Sequence, residues 1–256
     1  MADLDIHLLP VLSDNYVYLI RDAESGACAA VDPAVAGPVM AALGRLGWHL
    51  SHILCTHHHA DHVGGVAEIK RATGCIVIGA AADARRIPGI DVRVKEGDEV
   101  ALGGHSARVI ETPGHTSGHV AYWFEGAGAL FCGDTLFSLG CGRLFEGTPA
   151  QMWESLLKLR ALPDDARVYC GHEYTNDNVA FALDLEPRNE AIKRRGAEAQ
   201  ALGEAGRPTL PARLGDEKAA NPFLRADDPG LKQAVGLAGR DAVEVFAAIR
   251  RRKDEF

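Results

Sequence analysis

Short apolar runs recur at close spacing through the first two thirds of the chain. They are Ile6–Leu9, Tyr16–Ile20, Ala27–Val31, Ile53–Cys55, Cys75–Ile78, Ala107–Ile110, Val120–Phe124, Ala129–Cys132 and Val168–Cys170. Gly, Pro, Asp or Asn marks most of their boundaries, which predicts strands. Helical stretches intervene: Val39–Leu46, with Pro38 near its start and Gly47 past its end, then Val63–Ala72 and Pro149–Leu162. Thr148 with Gln151 three residues on makes a capping box for the last of these. After about Tyr174 the texture changes. Asn178–Leu185, Asn189–Leu202, Leu231–Leu237 and Ala242–Arg252 read as helices, with linkers marked by Pro208, Pro211, Pro222 and Pro229. The pattern predicts an α/β (α+β) chain: residues 1–173 as mixed sheets covered by helices, and residues 174–256 as a smaller helical domain.

Four of the apolar runs close on the same phrase, small residues followed by a potential metal ligand. These are Ile-Leu-Cys-Thr-His57, Val-Ile-Glu-Thr-Pro-Gly-His115, Leu-Phe-Cys-Gly-Asp134 and Val-Tyr-Cys-Gly-His172. A buried strand fixes the position of its own end, and glycine lets the backbone turn closely around an ion. Sites built on strand ends gain the rigidity that metal geometry demands.

The densest cluster is Thr56-His57-His58-His59-Ala60-Asp61-His62, with Gly64-Gly65 behind it. Alternate side chains of an extended backbone project to the same side, so His57 and His59 can converge on one ion while His58 points away. Asp61 and His62 can reach a second ion. Imidazole and carboxylate suit zinc, iron or manganese, and the lack of thiolate argues for a hydrolytic centre over a closed structural one. Seven candidate ligands result: His57, His59 and His115 for one ion, Asp61, His62 and His172 for the other, and Asp134 between them. Ions about 3.5–4 Å apart can share a water whose pKa falls toward about 7. Asp32, at the end of a strand, reads equally as an acceptor for an N–H of a ligand imidazole or as a turn-forming residue. His119 reads as a supporting residue.

Composition narrows the partners. The chain has 256 residues and a net charge of −8. Residues 1–175 carry 13 Lys/Arg against 21 Asp/Glu, whereas residues 176–256 carry 14 of each. An acidic first part does not suit a phosphate backbone but does suit two dications, so nucleic acid is not expected as a partner. No apolar stretch is long enough to span a membrane, and the start Met1-Ala2-Asp3-Leu4-Asp5 lacks the basic and apolar regions of a secretory signal. The six cysteines form no CxxC pair, and four lie in apolar runs. Buried thiols in a reducing cytoplasm are the expectation, with the chain a monomer. The one dense basic cluster, Arg250-Arg251-Arg252-Lys253, suits an anionic small molecule or a solvated helix end.

The histidine run resembles the HxHxDH signature of the metallo-β-lactamase superfamily, an αββα sandwich. Thr112-Pro113-Gly114-His115-Thr116, Gly133-Asp134-Thr135 and Gly171-His172-Glu173-Tyr174-Thr175 follow in the order and spacing of its glyoxalase II branch. Cys141-Gly142-Arg143-Leu144-Phe145-Glu146-Gly147, Asn221-Pro222-Phe223-Leu224-Arg225 and Arg250-x-x-Lys253-Asp254-x-Phe256 extend the likeness nearly end to end. The resemblance implies hydrolysis of S-D-lactoylglutathione to glutathione and D-lactate by a hydroxide held between two divalent ions, zinc foremost. Asp61 and Asp134 would orient that nucleophile. It also implies that Arg143, Tyr174, Arg250 and Lys253 hold the glutathione moiety. Some relatives carry Lys and Tyr where this chain has Arg143 and Phe145, so a phenol hydrogen bond at 145 cannot be made. Other readings of the same residues are a lactonase, a β-lactamase, a persulfide dioxygenase, a nuclease of the same superfamily, or a non-catalytic metal-stabilised binding module. Asp134 argues against a β-lactamase that needs a cysteine ligand there.

Overall fold

The computed structural model describes residues 4–256, so Met1, Ala2 and Asp3 of the acidic start lie outside the described residues. The chain divides into two compact units. One holds the residues up to Glu111 with Ser117–Gly133, and the other holds Thr112–Thr116 with Asp134–Phe256.

The first unit contains two sheets. In one, β1 (Leu4–Val11), β2 (Asn15–Asp22), β3 (Cys28–Val31), β4 (His52–Leu54), β5 (Ile76–Ala80) and β6 (Val92–Val94) lie in sequence order. The first three are antiparallel neighbours and β3 to β6 are parallel. Parallel neighbours need crossovers. From β3 to β4 the crossover is α1 (Ala36–Leu46), and from β4 to β5 it is α2 (Ala60–Val63) with α3 (Val66–Thr73). Val39, Leu43, Val66 and Ile69 of the helices share a core with Val17, Leu19, Ala30, Ile53 and Val77 of the strands. The other sheet is antiparallel, made of β7 (Glu99–Leu102), β8 (His105–Glu111), β9 (Val120–Phe124) and β10 (Ala129–Gly133). Facing residues join the sheets: the Tyr18 and Phe131 rings meet edge-on at 5.5 Å, and the Tyr122 hydroxyl donates to the Cys55 carbonyl at 3.0 Å. Covered on both faces, the central strands read as continuous apolar runs instead of alternating ones.

The second unit opens with a short hairpin, β11 (Leu136–Phe137) and β12 (Gly140–Cys141), and includes the antiparallel pair β13 (Arg167–Cys170) and β14 (Ala212–Arg213). Its helices are α4 (Pro149–Arg160), α5 (Thr175–Leu185), α6 (Glu190–Glu204), α7 (Leu214–Ala220), α8 (Pro229–Ala234) and α9 (Ala242–Glu255). The capping box forms at α4: Thr148 Oγ1 accepts from Gln151 N, and Gln151 Oε1 accepts from Thr148 N. Trp153, Phe181, Phe223 and Phe246 make a chain of ring contacts through this unit.

Two expectations shift. The single helix Val63–Ala72 is instead α2 and α3, broken at Gly64-Gly65. A Cβ on Gly65 would stand 2.7 Å from the Pro33 carbonyl oxygen, so the backbone approach that seats the histidine run excludes a side chain there. The strands β6, β7, β11, β12 and β14, and helix α7, are too short to stand out in the sequence. The texture change at 173/174 marks where helices begin to dominate. All of that helical stretch lies within the second compact unit.

Candidate metal centre

In the first unit the cluster grows from the ends of two neighbouring parallel strands. Val31 of β3 pairs with Leu54 of β4, so Asp32 and Thr56 emerge side by side. Asp32 takes a left-handed conformation (φ 49°), which a short polar side chain tolerates, and its N–H donates to the Leu54 carbonyl. Its carboxylate accepts from Thr56 N at 2.7 Å, Thr56 Oγ1 at 2.6 Å and His62 Nδ1 at 3.0 Å. Because the Thr56 hydroxyl donates to Asp32, it accepts from His57 Nδ1, 3.0 Å away. This network sets both tautomers, so the Nε2 lone pairs of His57 and His62 point away from Asp32.

His57 Nε2 lies 3.1 Å from His59 Nδ1, and His62 Nε2 lies 3.5 Å from Asp61 Oδ2. His57 and His62 are buried, while the Asp61 side chain is 43 % exposed at the rim. Asn15 steadies it, donating from Nδ2 to Asp61 Oδ2 at 3.0 Å and to its carbonyl at 3.1 Å. His58 turns to the buried carboxylate of Asp83, 2.9 Å from its Nδ1, and the Arg86 guanidinium grips that same carboxylate. His119 stacks on His57 with centroids 4.7 Å apart, consistent with a supporting role.

The second unit gathers the other three candidates. Thr112 continues β8, Asp134 continues β10, and His172 follows β13 by two residues. Oδ2 of Asp134 lies 3.4 Å from His115 Nε2 and 3.3 Å from His172 Nε2. One carboxylate oxygen thus stands between two imidazole nitrogens. All three residues are buried. His115 Nδ1 donates to the Arg143 carbonyl at 2.9 Å, leaving its Nε2 toward Asp134. Donor atoms of opposite charge preference, lone pairs directed inward and outer nitrogens anchored elsewhere are what divalent ions require of their ligands. The residues of each unit fit such ions.

The residues expected to hold glutathione also lie in this unit. Tyr174 stacks on the His172 ring at 4.7 Å with planes 5° apart. Arg143 is exposed, and its Nε lies 3.9 Å from Asp254. Lys253 Nζ donates to the Asp177 carbonyl and sits 5.2 Å from the rings of both Phe181 and Phe256. Partial burial lowers its pKa below the usual 10.5. Arg250 differs from its neighbour on α9: it is 5 % exposed, with its guanidinium on the Cys141 carbonyl at 2.8 Å and on Asp254. Phe145 is exposed, its ring 5.2 Å from that of His115.

Sequence reasoning missed Asn15 and Asp83. Asn15 ends a Ser-Asp-Asn stretch that reads as a turn, and Asp83 lies 25 residues beyond the histidine it holds. Neither carries a local signal.

Comparison with known proteins places this geometry. Residues 12–172 match the metallo-beta-lactamase superfamily and residues 173–256 match the hydroxyacylglutathione hydrolase C-terminus. A hydroxyacylglutathione hydrolase of Rhodospirillum rubrum is 62% identical over 256 residues, 100% of both chains. One of Methylococcus capsulatus is 59% identical over 253 residues, 99% of both chains. Among solved structures, ETHE1 from Myxococcus xanthus superposes with a TM-score of 0.70 at 27% identity, covering 96% of this chain and 90% of that one. A di-iron-bound form of TTHA1623 gives a TM-score of 0.55 at 29% identity, over 66% of this chain and 91% of that one. The fold is that of the metallo-beta-lactamases, with mixed sheets, flanking helices and a C-terminal helical region. Two matched regions that together span residues 12–256, and relatives alike over the full length, lead to one conclusion: the chain belongs to the hydroxyacylglutathione hydrolase family of the metallo-beta-lactamase superfamily.

Proposed function

We propose that this protein hydrolyses the thioester of S-D-lactoylglutathione, and of related 2-hydroxyacyl-glutathiones, to glutathione and the free acid. The single observation that carries the reading is the full-length identity to hydroxyacylglutathione hydrolases, joined to an intact set of seven His and Asp donors. In this reading His57, His59 and His115 would hold one divalent ion and Asp61, His62 and His172 the other, with Asp134 as the seventh donor. Zinc is the expected metal, with iron or manganese chemically admissible for the same donors. When bound, two such ions supply an acidified water and a Lewis acid for the thioester carbonyl.

The chain's own residues do the rest. Asp61, steadied by Asn15, and Asp134 accept hydrogen bonds that orient the attacking water. Arg143, Tyr174, Arg250 and Lys253 receive the glutathione moiety, with cations meeting its carboxylates and the Tyr174 ring lying against its backbone. Residues 1–173 carry the chemistry and residues 174–256 the substrate. The partner is a small molecule; the protein acts as a cytoplasmic monomer, without nucleic acid or membrane. No helix among the described residues is long and apolar enough to cross a bilayer.

The test is thiol release from S-D-lactoylglutathione by metal-replete protein. All six cysteines are buried and outside any disulfide, and burial pushes the Cys28 thiol up to about 12 and Cys141 to about 11. A thiol reagent therefore reports product and not enzyme. Turnover should be abolished by D134N. Wild-type protein holding two ions per chain but releasing no thiol would refute the assignment.

A further inference from the structure

Behind His115 and Asp134 runs the segment Cys141–Glu146, which follows the hairpin of β11 and β12. Its backbone packs directly on the two candidate ligands. A Cβ on Gly142 would stand 2.0 Å from the Asp134 carbonyl and 3.0 Å from His115 Nδ1, so only glycine fits there. The Arg143 carbonyl accepts from His115 Nδ1 at 2.9 Å, and Phe145 N donates to the His115 carbonyl at 3.3 Å.

Glu217, Asn221 and Arg250 hold the hairpin and the first residue of this segment. Glu217 of α7, itself buried, accepts from Ser138 Oγ and from the N–H of Leu139, a residue held at φ 56°. Asn221 donates to the carbonyls of Phe137 and Gly140. Arg250, 109 residues further along the chain, donates to the Cys141 carbonyl at 2.8 Å. It lies over the Phe223 ring and is oriented by Asp254, which accepts from both its Nε and Nη2. Only Gly142 separates the residue whose carbonyl Arg250 holds from the residue whose carbonyl holds His115.

We propose that Arg250 is a positioning residue for the metal centre. By fixing the main chain of Cys141–Arg143 it holds the carbonyl that sets the tautomer and ring orientation of His115. The inference rests on the reading of His115 as a ligand, and it is separate from any contact Arg250 makes with glutathione. A purely substrate-binding arginine would raise KM when removed and leave metal affinity untouched. A positioning arginine loosens an ion.

Competitive zinc titration of the full chain against a chromophoric chelator separates the two. For R250M, affinity at one of the two sites should fall roughly tenfold, the lower end of what loss of an outer-shell partner costs. D254A should weaken the same site to a smaller degree, because Asp254 only orients Arg250. In cobalt-substituted protein, the exchangeable and paramagnetically shifted N–H signal of one ring should broaden in R250M as its hydrogen bond loosens. The proposal is overturned if both variants keep both affinities within twofold of wild type and only KM rises. Should R250M fail to fold, as judged by circular dichroism, D254A at the exposed helix end decides the matter on the same criteria. The titration uses no substrate, so wild-type protein that binds two ions without cleaving thioesters would defeat the functional assignment alone. Wild-type protein that bound no zinc would defeat both.

Discussion

Asn15 donates twice to Asp61, once to the side chain and once to the main chain, and so sets where that exposed carboxylate points. Replacing it with alanine leaves the fold's apolar core intact but lets Asp61 swing into solvent. N15A should weaken one of the two ions by about tenfold or more, as removal of an outer-shell partner does elsewhere; zinc titration reads it directly. Lys253 makes a second residue-scale prediction. Burial disfavours its ammonium form and moves its pKa down from 10.5. A lowered lysine pKa means the charge is lost earlier on the way up to 10.5 than for an exposed lysine. The KM for a glutathione thioester should therefore begin to rise at alkaline pH below 10.5 in wild type. In K253R it should stay flat, since arginine keeps its charge. A flat wild-type profile would remove Lys253 from the substrate's carboxylates.

At the scale of elements, the break between α2 and α3 is where backbone proximity overrides helical pattern. Val63–Ala72 has the periodicity of one helix, yet Gly65 approaches the Pro33 and Val35 backbone too closely for a side chain. G65A should lower stability by about 1–3 kcal/mol, the usual cost of overpacking, seen as a reduced denaturant midpoint. It should also weaken metal binding, because the same turn carries His62. The α4 capping box is a milder case. T148A should cost about 1 kcal/mol without touching the metal centre. Caps and strand boundaries were readable because they depend on residues a few positions apart. The short hairpin β11–β12 was not, because its turn is held by Glu217 and Asn221, both more than 75 residues away in the chain.

For the whole molecule, the candidate donors follow strand ends, so metal binding and folding would be thermodynamically linked. Ions that bind only the native state add stability that grows with their concentration over Kd, about 2.7 kcal/mol at a hundredfold excess. Removing them with a chelator should lower the melting temperature and abolish thioester cleavage, and adding zinc back should restore both. An unchanged melting temperature after proven metal loss would speak against the proposed metal ligands. No comparable effect is expected from reducing agents, since none of the six cysteines is in a disulfide.

Much of the chemistry was already present in the linear chain. The phrase in which an apolar run ends in small residues and a ligand needs only a buried strand and its own terminus, and both are local properties. The histidine run, the seven candidate ligands and the helical C-terminal third were legible in residue types and their spacing, and the resemblance to the family in named motifs. Tertiary structure decided which residues support them. Asn15, Asp83 and Gly142 act across loops and sheets, by contacts that leave no periodic trace. Arg250 illustrates the difference most clearly. On a helical wheel it shares a face with Lys253 and reads as a surface cation, yet packing turns its guanidinium inward onto the Cys141 carbonyl. Spacing along a chain reports which side chains can share a face, but only the folded backbone determines what that face meets.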